Sequence, residues 1–266
     1  MIYDIRTIEC ARQTLTNLTQ VPIEIWEENV CREKEYRYVD DLVENVANTY
    51  GVIPDNYQKF EFIYFHVTTS ANQCLSIRKR GIMDLRNTYL CKDSELRQFL
   101  DTNGIYININ EKTLTYKNSK FDISYHPYAP RFDTEERDCW AIGRKFYYDF
   151  TTCGFLSVWE TSPYGGQVQW RPEILMDIDN LLSLNLSNEW ASTHTPYEVT
   201  AKVSGEKIVY DGDDEQSEKE KVIYYLTKAY KTAFGDTSEE VLLLKNNIQI
   251  PVGDIIEVKP LTHWSR

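Results

Sequence analysis

The sequence predicts an α+β protein in which a helical N-terminal part precedes a mixed region of short strands and helices. Residues 1–58 carry mixed charge and a partial apolar stripe at helical spacing. The run FEFIYFHVT, which begins at Phe60, is instead rich in β-branched and aromatic residues, as strands are. We therefore expect a helical region over 1–58 and a second region over 59–266.

Turn and cap residues divide both regions into elements. Pro22 can open a helix and Gly51 can close one. After the first strand, Ser70 can cap a helix that Gly81 ends. The further predicted strands are GIYINI, FLSVWET, YEVTAKV paired with EKIVYD, EVLLLK and DIIEV, and the further predicted helices are 135–152, RPEILMDIDNLL and KVIYYLTKAYKTAF.

Composition narrows the functional classes. The 266-residue chain has a net charge of −12, which argues against a protein that coats nucleic acid, because such a protein needs a basic face. A local groove for nucleic acid stays compatible with that charge. The six cysteines form no C-x-x-C pair and no zinc pattern, so we expect reduced thiols, no metal and a cytoplasmic location. No stretch predicts a signal peptide or a membrane span.

Polar residues on predicted strands are the candidate site. His66 and Thr68 are two residues apart, so on a strand they share one face and can hydrogen-bond a ligand rich in hydroxyl groups, such as a ribose. Tyr106 lies on the short strand after Gly104, and a carboxylate at the mouth of EVLLLK could stabilise developing positive charge. Each feature alone is equally typical of an ordinary strand, since His, Tyr and Glu all occur there for structural reasons.

Taken in order, these segments resemble the ADP-ribosyltransferase superfamily, in the branch that carries a His-Tyr-Glu triad. The matching motifs are FHVTTSANQCLSIRKRGI, GIYIN and EVLLLKNNIQIPVGDIIEV, and the resemblance covers roughly residues 60–260. It implies a split mixed and antiparallel β-sheet fold and NAD as the co-substrate, with no metal.

The resemblance also implies roles for individual residues. His66, the backbone of Val67 and Thr68 would hold the nicotinamide ribose and amide, and Tyr106 would stack on the nicotinamide ring. Glu240 would stabilise an oxocarbenium-like transition state as nicotinamide leaves, which is chemistry akin to glycoside cleavage. Tyr116, in the segment KTLTYKNSK, is a candidate second wall for the ring.

Three positions depart from the pattern or leave it open. Val67 stands where many relatives have Gly, although its backbone can still contact the amide. Ser238 stands where arginine-directed relatives usually carry an acidic residue, which disfavours an arginine acceptor. Glu239 would take the place of Glu240 as the catalytic carboxylate if the strand register were shifted by one residue.

The chain length and the C-terminal segment also resemble bacterial toxins of this superfamily that attach ADP-ribose to a base in DNA or mRNA. Such toxins are held inactive by an antitoxin and often serve phage defence. The resemblance therefore implies a nucleic-acid acceptor and an antitoxin partner. The charged, weakly amphipathic character of residues 1–58 is the basis of a separate hypothesis, that they dock an antitoxin or a chaperone. The segment Gln167, Gln169, Trp170 and Arg171 could read or stack a base, or could simply be a turn before a helix.

Three other functions stay open from the sequence. The same enzyme class could modify protein, or the fold could be an inert module for binding NAD or a partner. An RNA 2′-phosphotransferase relative would also consume NAD, but it would need a set of basic residues to grip a phosphate, and no such set stands out.

Overall fold

The computed structural model describes residues 1–131, 134–158, 168–235 and 238–262. Its strands are β1 (Ile2–Tyr3), β2 (Glu61–Ser70), β3 (Ile105–Asn108), β4 (Thr113–Tyr116), β5 (Ser119–Asp122), β6 (Cys153–Ser157), β7 (Thr195–Ser204), β8 (Glu240–Leu243) and β9 (Ile255–Pro260). Its helices are α1 (Ile8–Thr19), α2 (Ile23–Val30), α3 (Val39–Tyr50), α4 (Leu75–Arg80), α5 (Leu85–Leu90), α6 (Glu95–Thr102), α7 (Glu135–Tyr147), α8 (Glu173–Leu182), α9 (Leu186–Thr193) and α10 (Glu218–Ala233).

The strands form two sheets. The larger sheet runs in the order β8–β6–β2–β7–β9, and β1 pairs with β2 in parallel, whereas the other neighbours are antiparallel. The smaller sheet is an antiparallel meander of β3, β4 and β5. The prediction of an α+β class, with helices placed between short strands, is confirmed.

The main core joins the N-terminal helices to the larger sheet. Leu15 of α1, Trp26 of α2 and Val46 of α3 are fully buried in the same cluster as Phe62 of β2 and Leu226 of α10. Pro22 precedes α2 and Gly51 follows α3, as predicted. Residues 1–58 therefore contribute to the core of the sheet rather than to a core of their own.

A second core lies under the smaller sheet. It contains Ile107 of β3, Leu114 of β4, Phe146 of α7, Leu175 of α8 and Trp190 of α9, among other buried side chains. The elements α5–α7, β3–β5 and α8–α9 thus pack as a separate cluster beside the larger sheet. The candidate site described below lies where this second cluster meets β2.

Three predicted elements differ from the structure. The helix expected after Ser70 begins only at Leu75, with Cys74 rather than Ser70 at its N-cap, because β2 continues to Ser70. The helix predicted over 135–152 ends at Tyr147, and Gly154 lies inside β6, where a side chain would collide with the ring of Tyr64. The strand predicted in EKIVYD does not pair with β7, because β2 and β9 already occupy both edges of β7. Instead Ile208 makes a single bridge to Leu244.

Candidate functional site

A cavity of about 530 Å³ opens beside the C-terminal half of β2. Phe65 pairs with Phe155, and β6 begins two residues earlier at Cys153, so β2 continues beyond the end of its neighbour. Consecutive residues of β2 line the resulting space, from His66 to Ser70. Its volume falls within the ~300–1,000 Å³ typical of small-molecule sites.

His66 is held on the cavity wall in one tautomer. Its Nδ1 lies 2.8 Å from the carbonyl oxygen of Cys153, and a carbonyl can only accept, so Nδ1 carries the proton and donates. Burial lowers the pKa of His66 below its ordinary value, and this hydrogen bond opposes the shift only in part. The ring is therefore neutral at pH 7, with Nε2 as the acceptor.

The three hydroxyl residues after Val67 have different surroundings. Thr69 accepts a hydrogen bond from the indole Nε1 of Trp190 at 2.7 Å and is buried. Ser70 accepts from the amide of Cys74 at 2.7 Å and is also buried. Thr68 is half-buried on the cavity wall, and its hydroxyl has no hydrogen-bond partner among the described residues. Thr68 is thus the hydroxyl that a ligand in the cavity could reach.

Glu95 is a cavity residue that the sequence reasoning missed. Its carboxylate accepts from the Ser70 hydroxyl at 2.7 Å and from the backbone amides of Ala71 at 2.6 Å and Asn72 at 3.2 Å. These bonds fasten the start of α6 to the turn that follows β2. In the sequence, Glu95 is simply an acid in the first turn of a helix capped by Ser94, a pattern explained by the helix dipole alone.

Tyr106 and Tyr116 lie on the smaller sheet. Tyr106 of β3 pairs with Thr115 of β4, and its side chain is 52% exposed. Tyr116 packs against the second core, with the Lys117 ammonium 4.8 Å from its ring centre. Neither tyrosine is among the described residues that line the cavity, where Phe150, Phe155 and Trp190 supply the aromatic surface.

Glu240 begins β8 and lies away from the cavity. The side chains at 241 and 243 line the cavity, and alternation along the strand directs Glu240 to the opposite face. There its carboxylate lies 2.6 Å from the ammonium of Lys228 and accepts from the hydroxyl of Ser238 at 2.8 Å. Glu240 is thus not among the described residues that line the cavity.

Lys228 is the counter-ion of this buried group. It is 8% exposed and also contacts Asp211 at 2.8 Å. Burial lowers its pKa, but the charges of Glu240 and Asp211 outweigh burial and raise the pKa above the ordinary lysine value. Lys228 is therefore fully charged at neutral pH and holds Glu240 against α10.

Two other predicted residues flank the start of β8. Glu239 is half-buried directly before the strand, two residues from Val241 on the cavity wall. Ser238 is half-buried as well, and its carbonyl accepts from the Ser157 hydroxyl at 2.8 Å. The open choice between Glu239 and Glu240 thus becomes a choice between the two faces of β8.

Of the predicted residues in the segment before α8, Arg171 reaches the cavity, and Val168 and Pro172 of the same segment line it as well. Arg171 lines the wall, and its guanidinium lies 2.9 Å from the thioether sulfur of Met176. Trp170 is 57% exposed and Gln169 is half-buried, but neither lines the cavity. Gln167 lies outside the described residues.

Lys145 is a second cation on the wall that sequence reasoning missed. Its ammonium lies 2.7 Å from Glu173 and 3.4 Å from Asp149, both of which also line the cavity. Burial lowers the pKa of Lys145, and the two carboxylates more than offset this, so the net pKa is raised. This side of the cavity is consequently charged, whereas the strand side is apolar or neutral.

Several features bear on cofactors and surroundings. Within the described ranges, no group of three or more His, Cys, Asp or Glu side chains is placed to hold a metal ion. The six cysteines form no disulfide, and burial raises the pKa of Cys74 and of Cys139 to about 11. In the part of the chain that the structure describes, no helix combines the length and apolarity needed to cross a membrane.

Comparison with protein-family models, with curated proteins and with solved structures gives no match to this chain.

Proposed function

We propose that the protein binds NAD in the cavity beside β2 and transfers ADP-ribose to a nucleic-acid base, with release of nicotinamide. The observation that carries this proposal is the position of His66 and Thr68, the pair expected to hold a ribose, on the wall of a cavity of about 530 Å³. The type of reaction is inferred from the family resemblance of the three motifs, and the cavity is large enough to be the binding site.

His66 and Thr68 have complementary hydrogen-bonding capacity. The neutral His66 ring offers Nε2 as an acceptor for a ribose hydroxyl, because Nδ1 already donates to Cys153. The Thr68 hydroxyl can donate or accept. The aromatic surface expected from Tyr106 would come instead from the cavity wall, where Phe155 lies beside β2. These groups suit the ribose and the nicotinamide ring of NAD.

The carboxylate that we assign to the reaction is Glu239. Val241, two residues after Glu239, lines the cavity, whereas Glu240 begins β8 on the opposite face of that strand. As the bond from the ribose C1′ to nicotinamide breaks, the electron pair leaves with nicotinamide and the ribose becomes positive. A carboxylate nearby stabilises that charge, and the acceptor nitrogen or oxygen then bonds to C1′ and loses its proton.

The toxin role and the antitoxin follow from the resemblance alone and belong to the same proposal. The structure changes how a docking surface on residues 1–58 should be tested. Deleting this region would strip α1–α3 and β1 from the main core, because Leu15 and Trp26 are fully buried in it. Substitutions on the exposed face of α3, such as Tyr50→Ala, test partner binding without that damage.

The experiment is nicotinamide release from NAD by the full chain, with RNA, DNA and protein lysate supplied in separate reactions. We expect release to rise with one nucleic-acid acceptor. Glu239→Gln should lower the rate by about 100-fold or more, as loss of a charge-stabilising group does. Glu111→Gln, an exposed acid in a surface pair with Lys120, is the matched control and should leave the rate unchanged.

A second candidate is an NAD-binding module without catalysis. The Glu240–Lys228 ion pair and the placement of Tyr106 on the smaller sheet favour it, since two of the three expected catalytic groups lie away from the cavity. Calorimetric titration with NAD separates the two candidates. Binding that is lost in His66→Gln, without nicotinamide release under any condition, supports the module.

A further inference from the structure

Three aromatic rings form a ladder on the surface of α7. The ring of Tyr125 lies between those of Trp140 and Tyr148, with centre-to-centre distances of 5.8 and 5.1 Å. The planes of Tyr125 and Tyr148 are inclined by only 20°, and Tyr148 is 59% exposed. We call Trp140, Tyr125 and Tyr148 the aromatic ladder.

The sequence builds the ladder from helical spacing and one glycine. Trp140, Arg144 and Tyr148 follow at intervals of four, so they share one face of α7 and its C-cap. At Gly143 the segment after β5 crosses α7 so closely that a Cβ would lie 2.2 Å from the carbonyl oxygen of Ile123. This crossing places Tyr125 between the two rings of the helix.

The ladder ends at the cavity. Tyr148 is followed by Asp149, which lines the cavity, and Lys145 on the preceding turn lines it as well. Arg144 lies beside the ladder, and its one ion pair among the described residues is a long one with Asp149, at 3.7 Å, with 47% and 39% of the two side chains exposed. Such a pair contributes little, so the guanidinium is available to a ligand.

Several cations gather at this end of α7, in a chain whose net charge is −12. The guanidinium of Arg86 lies 5.3 Å from the ring centre of Phe150, and the ammonium of Lys112 lies 5.5 Å from that of Tyr147. Five cations and five acids lie here, so the cations are matched in number. The cations are Arg86, Lys112, Arg144, Lys145 and Arg171, and the acids are Asp122, Asp138, Asp149, Glu173 and Asp177.

We propose that the aromatic ladder binds single-stranded nucleic acid and leads an unpaired base into the cavity. Flat rings stack on any base, the local cations meet the phosphates, and a base in a duplex could neither stack on the ladder nor enter the cavity. The delivery step rests on the proposed function, because it assumes that the cavity holds NAD. The binding step does not.

The test is fluorescence anisotropy of labelled 12-nucleotide RNA and DNA single strands, without NAD, at about 50 mM salt. We expect Tyr148→Ala and Arg144→Gln each to weaken binding by about fivefold or more, the lower end for one lost base stack. Tyr38→Ala is the control, since Tyr38 is also 59% exposed and has Arg37 5.1 Å from its ring, but it lies by α3. Circular dichroism confirms that each variant is folded.

The outcomes separate this inference from the proposed function. Single-strand binding that needs Tyr148 but not Tyr38 supports the ladder whether or not nicotinamide is released. The inference is overturned if the protein binds no single strand, or if it binds a duplex or a proline-rich peptide as tightly. It is also overturned if Tyr38→Ala lowers the single-strand affinity as much as Tyr148→Ala does. Where nicotinamide is released, Tyr148→Ala should raise the acceptor concentration needed for half-maximal rate and leave the KM for NAD unchanged.

Discussion

The end of β2 and the start of β8 both place polar side chains beside an apolar strand. Only the polar side chains at the end of β2 line a cavity that a ligand could enter. His66 and Thr68 line a cavity, and the Thr68 hydroxyl has no partner among the described residues. Glu240 faces a lysine that is 8% exposed and is already bound to it. A polar group at a strand end can therefore serve a ligand only where the chain does not supply its own counter-ion.

The largest effect on folding stability is expected from breaking the ion pair between Lys228 and Glu240 at the start of β8. Lys228→Met would leave Glu240 and Asp211 without their shared cation. Because these side chains are 16% and 36% exposed, we expect a loss of about 3 kcal/mol of folding free energy, the lower end of the range for breaking a buried ion pair. Urea unfolding followed by circular dichroism measures this loss.

Lys219→Met is the matched control for that variant. Lys219 pairs with Glu44 on the surface, where the side chains are 53% and 43% exposed, so its loss should cost less than about 1 kcal/mol. Equal free energies of unfolding for the two variants would contradict the claim that Lys228 is the essential counter-ion of Glu240.

A smaller effect is expected at the turn that follows β2. Glu95→Gln replaces an ionised acceptor of three hydrogen bonds with a neutral amide, which we expect to cost about 1.5–3 kcal/mol. The same unfolding measurement applies, with Glu111→Gln as an exposed comparison. If the variant unfolds like the wild type, Glu95 does not fasten α6 to β2.

The smallest effect concerns the pH dependence at His66. Because burial lowers its folded-state pKa, the unfolded chain binds more protons as the pH falls below about 6.5. The contribution of His66 to folding therefore stays constant above that pH and weakens as the pH falls through the lowered pKa. His66→Gln should remove this part of the slope of stability against pH, and an unchanged slope would show that His66 is not a buried neutral ring.

This comparison also shows what the sequence could predict. The alternation in FEFIYFHVT places His66 and Thr68 together on a strand that ends beside a turn, because a strand pattern is local. The partner of Glu240 could not be predicted, because Lys228 comes from α10, a different element of the fold. Lys228 also pairs with Asp211, so two carboxylates share this one ammonium. Which sheet Tyr106 joins is likewise decided by long-range packing rather than by the residues around it.

The contact between Glu95 and Ser70 likewise could not be predicted from the local sequence. Ser70 and Glu95 are 25 residues apart, and two short helices lie between them. Each residue has a sufficient local reason to be where it is, as a possible helix cap and as an acid at a helix N-terminus. Only the folded chain shows that they hydrogen-bond to each other on the wall of the cavity.

Nicotinamide release from NAD, measured side by side for the wild type, Glu239→Gln and Glu240→Gln, tests the central claim most directly. If the cavity beside β2 is the site of ADP-ribosyl transfer, Glu239→Gln should lose about 100-fold or more in rate, while folded Glu240→Gln keeps most of it. A loss confined to Glu240→Gln would contradict the claim, because the carboxylate bound to Lys228 would then be the one that acts.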